Sequence, residues 1–391
     1  MRILHISSLW TPFLLGGAEV YSTTLAQEQR AAGHSVGVVT LGVPGEDVVE
    51  VVPAWPHRRD LFAGQPAWKK AMFRLEDVYN PVAAKRMSQA IDRFEPDIVH
   101  THAVMGLSTA ALTAGASRVP HVHHLHDHWL LCRRTTLTKP SGAPCNDRRC
   151  RAIAAVRKQI VQRNPPELLL AFSRASARAH ESLQWTAGRV RHLPHTIGVE
   201  FEGRKPVAAA PGAPVTFGFL GQLLRHKGLH TLLEAFAGLS GGHRLLVAGD
   251  GELAESVAAA GPNVVALGQV NGAEKDQFFA EVDCLVVPSQ VPETGPLVVL
   301  EARAHGLPVI GARIGGIPDI VAARCAPLLV QPGSASDLRA ALERFIAAPE
   351  IYSPPADGPP ERIGRTWRDH ADDVSGFYEE AIQIRRKSAG R

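Results

Sequence analysis

Two carboxylates with seven residues between them hold the densest chemistry of this 391-residue chain. Glu293 sits in Pro-Glu-Thr-Gly-Pro, and Glu301 rides on the apolar run Leu297-Val298-Val299-Leu300 that follows. Pro296 at the first helical position and Gly306 just past the end punctuate a helix between them. Carboxylates accept hydrogen bonds from hydroxyls, and the free amides of a helix start, here Leu297 and Val298, favour an anion. A ligand carrying both sugar hydroxyls and phosphates suits this pairing. A nucleotide sugar carries both.

The elements that must hold these groups alternate between strand and helix, which predicts an α/β protein with parallel sheets. Arg2–Ser7 reads as a buried strand, then a helix from Ala18 to Ala32, strand Val36–Leu41, helix Val82–Phe94 and strands Asp97–His100 and Val119–His126. The Pro-, Ala- and Gly-rich residues 202–214 read as a linker, after which the pattern restarts. Strands Val215–Leu220, Arg244–Ala248, Cys284–Val287 and Pro308–Ile310 follow, with helices from Gly228, from Pro296 and after Gly315-Gly316. Residues 349–360 read as a loop before a last helix from Trp367 to Lys387. The expectation is two doubly wound domains, 1–200 and 201–366, with a C-terminal helix at about 367–391 packing back on the first. Ligands of such sheets bind at the carboxyl ends of the strands, which places the site in a cleft between the domains.

Composition narrows the class. An apolar fraction of 45% with 20% charged residues is that of a soluble globular chain, long enough for two cores. Net charge +4 is too mild for a nucleic-acid footprint. The chain opens on a core strand instead of a leader, no apolar run approaches a membrane span, and the five cysteines are an odd number, so a cytoplasmic address with reduced thiols is expected.

Other residues at strand ends complete the picture: Gly16-Gly17-Ala18-Glu19, the run Gly221-Gln222-Leu223-Leu224-Arg225-His226-Lys227-Gly228, and Gly315-Gly316. With the glutamates, in this order along nearly the whole chain, they resemble the family 4 (group 1) glycosyltransferases of the GT-B fold. That resemblance implies retaining, metal-independent transfer from a nucleoside-diphosphate sugar, with no further cofactor. It assigns Glu301 to the donor ribose, Glu293 to the transferred sugar, Lys227, Leu297 and Val298 to the diphosphate, and Gly295 to the donor site. The Gly16-Gly17 loop would close over the donor, and Gln269 and Val270 would meet the base. Gln222 stands where the family usually has arginine, a lost cation that Arg225 could partly replace. His126 and Asp127 match the end of an acceptor-domain strand, His126 touching the sugar and Asp127 orienting the acceptor hydroxyl. Glu19 and His102 are further acceptor-side candidates, although Glu19 equally suits the helix dipole and Asp127 equally suits a cap.

His121, His123, His124, His126 and His128 invite a metal, with Cys132, Cys145 and Cys150 downstream. Zinc usually takes ligands in recognisable pairs, and the chain has no Cys-x-x-Cys. No catalytic metal is expected, and a structural zinc at Cys132, Cys145 and Cys150 is the alternative. Trp55, His57, Arg58, Arg59, Trp68, Lys69, Lys70, Phe73 and Arg74 mix aromatic with basic groups. A cover helix packed on its domain is the expectation here, and peripheral binding to the inner face of an anionic membrane is the alternative.

Two other readings stay open. A nucleotide-sugar epimerase would convert donor without acceptor. A non-catalytic glycan-binding or scaffold subunit, suggested only by Gln222 and by His195-Thr196-Ile197, would bind no nucleoside diphosphate. A nicotinamide dehydrogenase is disfavoured, because no Gly-x-Gly-x-x-Gly follows the first strand.

Overall fold

The computed structural model describes residues 1–11, 16–41, 44–45, 47–53, 66–139, 142–198, 213–354 and 365–390. Linker residues 202–212, together with Trp55, His57, Arg58 and Arg59, lie outside them. Among the described residues thirteen strands form two sheets, and every pairing is parallel.

The first sheet contains β1 (Arg2–Ile6), β2 (Ser35–Leu41), β3 (Val48–Val52), β4 (Ile98–Thr101), β5 (His121–Leu125), β6 (Leu168–Ala171) and β7 (Val190–His192), in the order β3-β2-β1-β4-β5-β6-β7. The second contains β8 (Thr216–Leu220), β9 (Arg244–Ala248), β10 (Val264–Gly268), β11 (Cys284–Val287), β12 (Val309–Ala312) and β13 (Leu329–Val330), in the order β10-β9-β8-β11-β12-β13. Central strands β4, β5, β6, β11 and β12 are buried along their whole length. Helices cover both faces of such sheets, so β6, β11 and β12 read as continuous apolar runs, while β4 and β5 bury histidines among their apolar residues.

The chain divides into two compact units, one of Met1–Thr135, Cys145–Pro194 and Trp367–Arg391, the other of Thr136–Pro144 and His195–Thr366. In the first, the helix Trp367–Ala389 lays Ala371, Val374, Tyr378 and Ala381 against Ile3, Leu25, Ile98 and Leu170. Their spacing of three and four residues gives one apolar helix face. The Tyr378 hydroxyl accepts from Gln29 Nε2 at 3.0 Å and donates to His100 Nδ1 at 2.7 Å, so the buried tyrosine is satisfied.

Three local expectations need correction. Pro296 is the residue preceding the helix Leu297–Ala304, extended at φ −68° and ψ 116°, not its first residue. The described start of the expected loop at 349–360 is a short helix, Pro349–Tyr352, whose Tyr352 is buried against Phe345. The third is the helix Ala67–Glu76: none of its residues is buried, and Trp68, Met72 and Leu75 are 57%, 44% and 73% exposed. These three share a face at spacings of four and three, so the apolar face expected to pack on the domain meets solvent.

Candidate functional site

Strand order reverses between β1 and β4 in the first sheet and between β8 and β11 in the second. Loops leaving the carboxyl ends of the strands at a reversal part to opposite sides and leave a crevice, the usual ligand position of a doubly wound sheet. Gly16-Gly17 follows β1, His102 follows β4, Gly221–Gly228 follows β8 and Ser289–Pro296 follows β11.

In the second unit, Lys227 ends a single 3-10 turn, Arg225–Lys227, and Gly228 reverses the chain at φ +78° into the helix Leu229–Ala237. A Cβ on Gly228 would stand 1.8 Å from the Pro288 carbonyl oxygen, so only glycine lets the two loops touch. That contact sets Lys227 Nζ 2.7 Å from Glu293 Oε1, which also accepts from Ser289 Oγ at 2.9 Å. The Glu293 side chain is 16% exposed. Burial pushes its carboxyl up, but the Lys227 ammonium and the hydrogen bonds from Lys227 and Ser289 outweigh it and hold the pKa below the usual value. Gly315 lies at φ +57°, and a Cβ there would approach the Glu293 carbonyl oxygen to 2.4 Å and its nitrogen to 2.5 Å. The Gly316 amide donates to the Glu293 carbonyl at 2.7 Å. The second glycine pair is thus a seat for the backbone of Glu293.

Glu301 is 23% exposed on the helix Leu297–Ala304 and accepts from Lys275 Nζ at 2.9 Å. Gln222 and Arg225 are exposed, and the Arg225 amide donates to Glu252 Oε1 at 2.9 Å. Gln269 lines a cavity of about 320 Å³ with Leu223, Val247, Gly249, Asp250 and Gly268, while Val270 is half-buried beyond it. Ser289 and Lys275, the partners of the two glutamates, were not singled out from the sequence. Each is an ordinary polar residue whose role exists only through a tertiary contact.

In the first unit, Gly16 and Gly17 are exposed, with Gly16 extended (φ −169°, ψ −171°) just ahead of the helix Gly17–Ala31. Glu19 is buried at the third helical position, the place of the acidic residue in a capping box, and a Cβ on Gly16 would lie 3.6 Å from its Oε2. Burial raises its pKa. This geometry makes Glu19 a brace for the glycine loop.

His126 is half-buried at the outer end of a line of imidazoles. Gln29 Nε2 donates to Tyr378, which turns Gln29 Oε1 toward His5 Nε2 at 2.7 Å, so His5 carries its proton there. His5 Nδ1 then accepts from His102 Nε2 at 2.8 Å, and His102 Nδ1 from His126 Nε2 at 3.1 Å. The line works only with neutral rings. Burial lowers His5 to about 4 and His102 well below its usual value, the neighbouring histidines adding to the second effect. One amide therefore fixes the tautomer of three imidazoles. Thr101 Oγ1 lies 2.9 Å from both His121 Nε2 and His123 Nδ1, and His124 stacks on Phe172 with centroids 4.2 Å apart. Asp127 Oδ1 accepts from the Trp129 amide at 2.7 Å, the capping role weighed for it.

A buried ion pair absent from the sequence reading secures the loop after β5. Asp77 pairs with Arg157 and accepts from Trp129 Nε1 at 2.9 Å and from the Gly106 amide at 2.7 Å. The Arg157 guanidinium lies 3.7 Å from the Trp129 ring centroid and donates to the Trp129 carbonyl at 2.6 Å. Arginine serves here because its planar fork both stacks and donates.

Two family models match successive parts of the chain and together span most of it: glycosyltransferase family 4 over residues 15–201 and glycosyl transferases group 1 over residues 214–348. The chain is a family 4, group 1 glycosyltransferase. A D-inositol 3-phosphate glycosyltransferase of Saccharomonospora viridis is 26% identical to it, over 99% of this chain and 94% of that one. Sucrose-phosphate synthase of Thermosynechococcus elongatus superposes with a TM-score of 0.67 at 20% identity, covering 100% of this glycosyltransferase and 99% of the synthase. The Anabaena protein HepE in complex with UDP superposes at 0.63, also 20% identical, with 100% and 99% covered. These structures show the GT-B fold. Among the described residues no helix is long and apolar enough to cross a membrane.

Proposed function

We propose that this glycosyltransferase moves a sugar from a nucleoside-diphosphate donor to a hydroxyl of a glycan, lipid-linked or small-molecule acceptor, with retention of anomeric configuration and without a catalytic metal. The observation that carries the reading is the Lys227–Glu293 pair, held at 2.7 Å by two glycine-dependent loop contacts at the switch point of the second sheet. A lysine and a glutamate this close neutralise one another without a ligand. A donor diphosphate would draw Lys227 toward its own charge and release Glu293 to accept from the sugar hydroxyls. Glu301, 2.9 Å from Lys275, offers a second carboxylate for the ribose, and the amides of Leu297 and Val298 begin the helix beside it.

The cavity at Gln269 is the proposed base site, with Asp250 and Gln269 as polar groups on an otherwise apolar lining. HepE was crystallised with UDP, so a uridine nucleotide is the first donor to test. The Gly16-Gly17 loop, braced by Glu19, serves the donor in this reading, and His102, His126 and Asp127 serve the acceptor side. Retention rests on the family resemblance, in which a donor phosphate oxygen helps deprotonate the acceptor.

The exposed face of Trp68, Met72 and Leu75, beside Lys69, Lys70 and Arg74, supports peripheral binding to an anionic membrane, where a lipid-linked acceptor would be found. Thermal unfolding with UDP-, GDP- and ADP-sugars tests the donor assignment, because a ligand of the native state raises apparent stability. At least one is expected to raise the unfolding temperature, and Lys227→Ala is expected to reduce the shift at the same ligand concentration. If none does so for the wild type, the donor site is wrongly assigned.

A further inference from the structure

Three cysteine sulfurs converge in the first unit, at a place the proposed transfer leaves unused. Cys132 lies in the loop after β5, Cys145 precedes the helix Arg148–Val161, and Cys150 is in its first turn. Their Sγ atoms all lie within 4.8 Å of one another, Cys132 and Cys150 are buried, Cys145 is half-buried, and none is in a disulfide. Cys132 and Cys145 stand at the two ends of a loop that Thr138 and Pro144 close with an antiparallel bridge.

The surroundings are those of thiolates rather than thiols. Arg133 Nε donates to Cys150 Sγ at 3.3 Å, and the Arg134 amide donates to Cys132 Sγ at 3.4 Å. Two of the three sulfurs therefore receive an N–H. Arg133 also pairs with Asp147 at 3.3 Å, and Arg134 lies 4.0 Å from the same carboxylate. Three thiols packed together supply only weak S–H donors and have no need of two guanidinium groups beside them. Three thiolates without a counter-charge would repel. Donors to sulfur and adjacent cations are the outer partners expected around a metal-bound thiolate cluster.

We propose that Cys132, Cys145 and Cys150 bind one thiophilic divalent cation, with zinc as the fitting ion, in a site that staples the loop ends to the helix start. Zinc–sulfur bonds of about 2.3 Å in a tetrahedron separate the sulfurs by about 3.8 Å, so the observed cluster needs to contract by no more than about 1 Å. Water takes the fourth position at the half-exposed Cys145, since the Asp147 carboxylate already holds Arg133 and the Arg149 amide, the latter at 2.9 Å. Binding releases three thiol protons to solvent and involves no redox step. The resulting site carries one net negative charge, which the Arg133 guanidinium faces. The spacing hid this site from a search for paired ligands, because Cys132 and Cys145 are far apart along the chain and meet only through the loop.

The test uses the full chain kept reduced, mixed with equimolar zinc, desalted and assayed for metal. One zinc per chain is expected. Cobalt(II) in its place should show thiolate-to-metal charge transfer and tetrahedral ligand-field bands. Cys145→Ser should retain about a tenth of the wild-type metal or less, while Cys325→Ser, in the second unit, should retain all of it. The wild-type spectrum stands without the variants if these fail to fold. The proposal is overturned if the wild type keeps no metal or if cobalt binds without charge transfer. It is equally overturned if Cys145→Ser keeps its zinc, or if titration of the unreduced chain counts three thiols instead of five, the mark of a disulfide within the cluster.

Discussion

Acidification from pH 7.5 to pH 5 should unfold the first unit ahead of the second. Burial lowers His5 to about 4, and His121, His123 and His180 to about 3, from the usual 6.5. Nearby cationic groups, Arg30 for His5 and Arg385 for His121, add to the depression. Above pH 6.5 these rings are neutral in both states and cost nothing. Below it the unfolded chain binds protons that the folded chain refuses, so stability falls as pH drops from 6.5 toward the folded values. At pH 5 each such ring lies about 1.5 units below its unfolded pKa, a loss of about 2 kcal/mol. Four rings give about 8 kcal/mol, comparable with the whole stability of an ordinary domain.

Glu19, Asp77 and Glu167 act in the opposite sense, because burial raises their folded pKa values and protonation on acidification relieves them. That offset subtracts from the histidine loss. Urea titrations at pH 7.5, 6.5, 5.5 and 5 can follow tryptophan fluorescence, because Trp10, Trp129, Trp185 and Trp367 lie in the first unit and the residue ranges of the second contain none. The midpoint should fall steeply between pH 6.5 and 5. A loss under about 1 kcal/mol over that range would refute the claim that these rings are buried neutral.

Other perturbations reach the second unit and the surface. Gly315→Ala should cost about 1–3 kcal/mol for its left-handed backbone alone. By displacing Glu293 it should also lower turnover more than the loss of stability accounts for, as steady-state rates on folded protein would show. Lys227→Ala should weaken nucleoside diphosphate binding by about 10- to 100-fold, the worth of one charge-assisted hydrogen bond. An unchanged Kd by calorimetry would remove Lys227 from the donor site. The double variant Trp68→Ser, Leu75→Ser should lose co-sedimentation with phosphatidylglycerol vesicles while keeping its circular dichroism, and equal sedimentation of both proteins would leave the exposed face without this role.

Much of the fold was legible because its strands are short apolar runs bounded by glycine and proline. β9 and β11 fall where the residues predicted them. β10 was not located, since its last three residues are exposed at a sheet edge and Val-Val-Ala-Leu-Gly carries no alternation to mark it. β13, at two residues, is too short to leave a pattern. Glu293, Glu301 and Lys227 could be named because glycines and prolines announce the loops they occupy. Their partners Ser289 and Lys275 could not, since nothing local distinguishes a surface lysine from one aimed at a carboxylate. The helix Ala67–Glu76 was misjudged for a related reason. Periodicity says that one face is apolar but not whether any neighbour covers it.

The central claim is that the carboxylate of Glu293 acts on a sugar delivered by a nucleoside diphosphate. Its most direct test is nucleoside diphosphate release from a panel of nucleotide sugars, measured with acceptor glycans for the wild type and for Glu293→Gln. The account predicts turnover of at least one donor by the wild type, and for the variant a loss of turnover with the nucleoside diphosphate still bound and the unfolding temperature little changed. Full turnover by Glu293→Gln would contradict it.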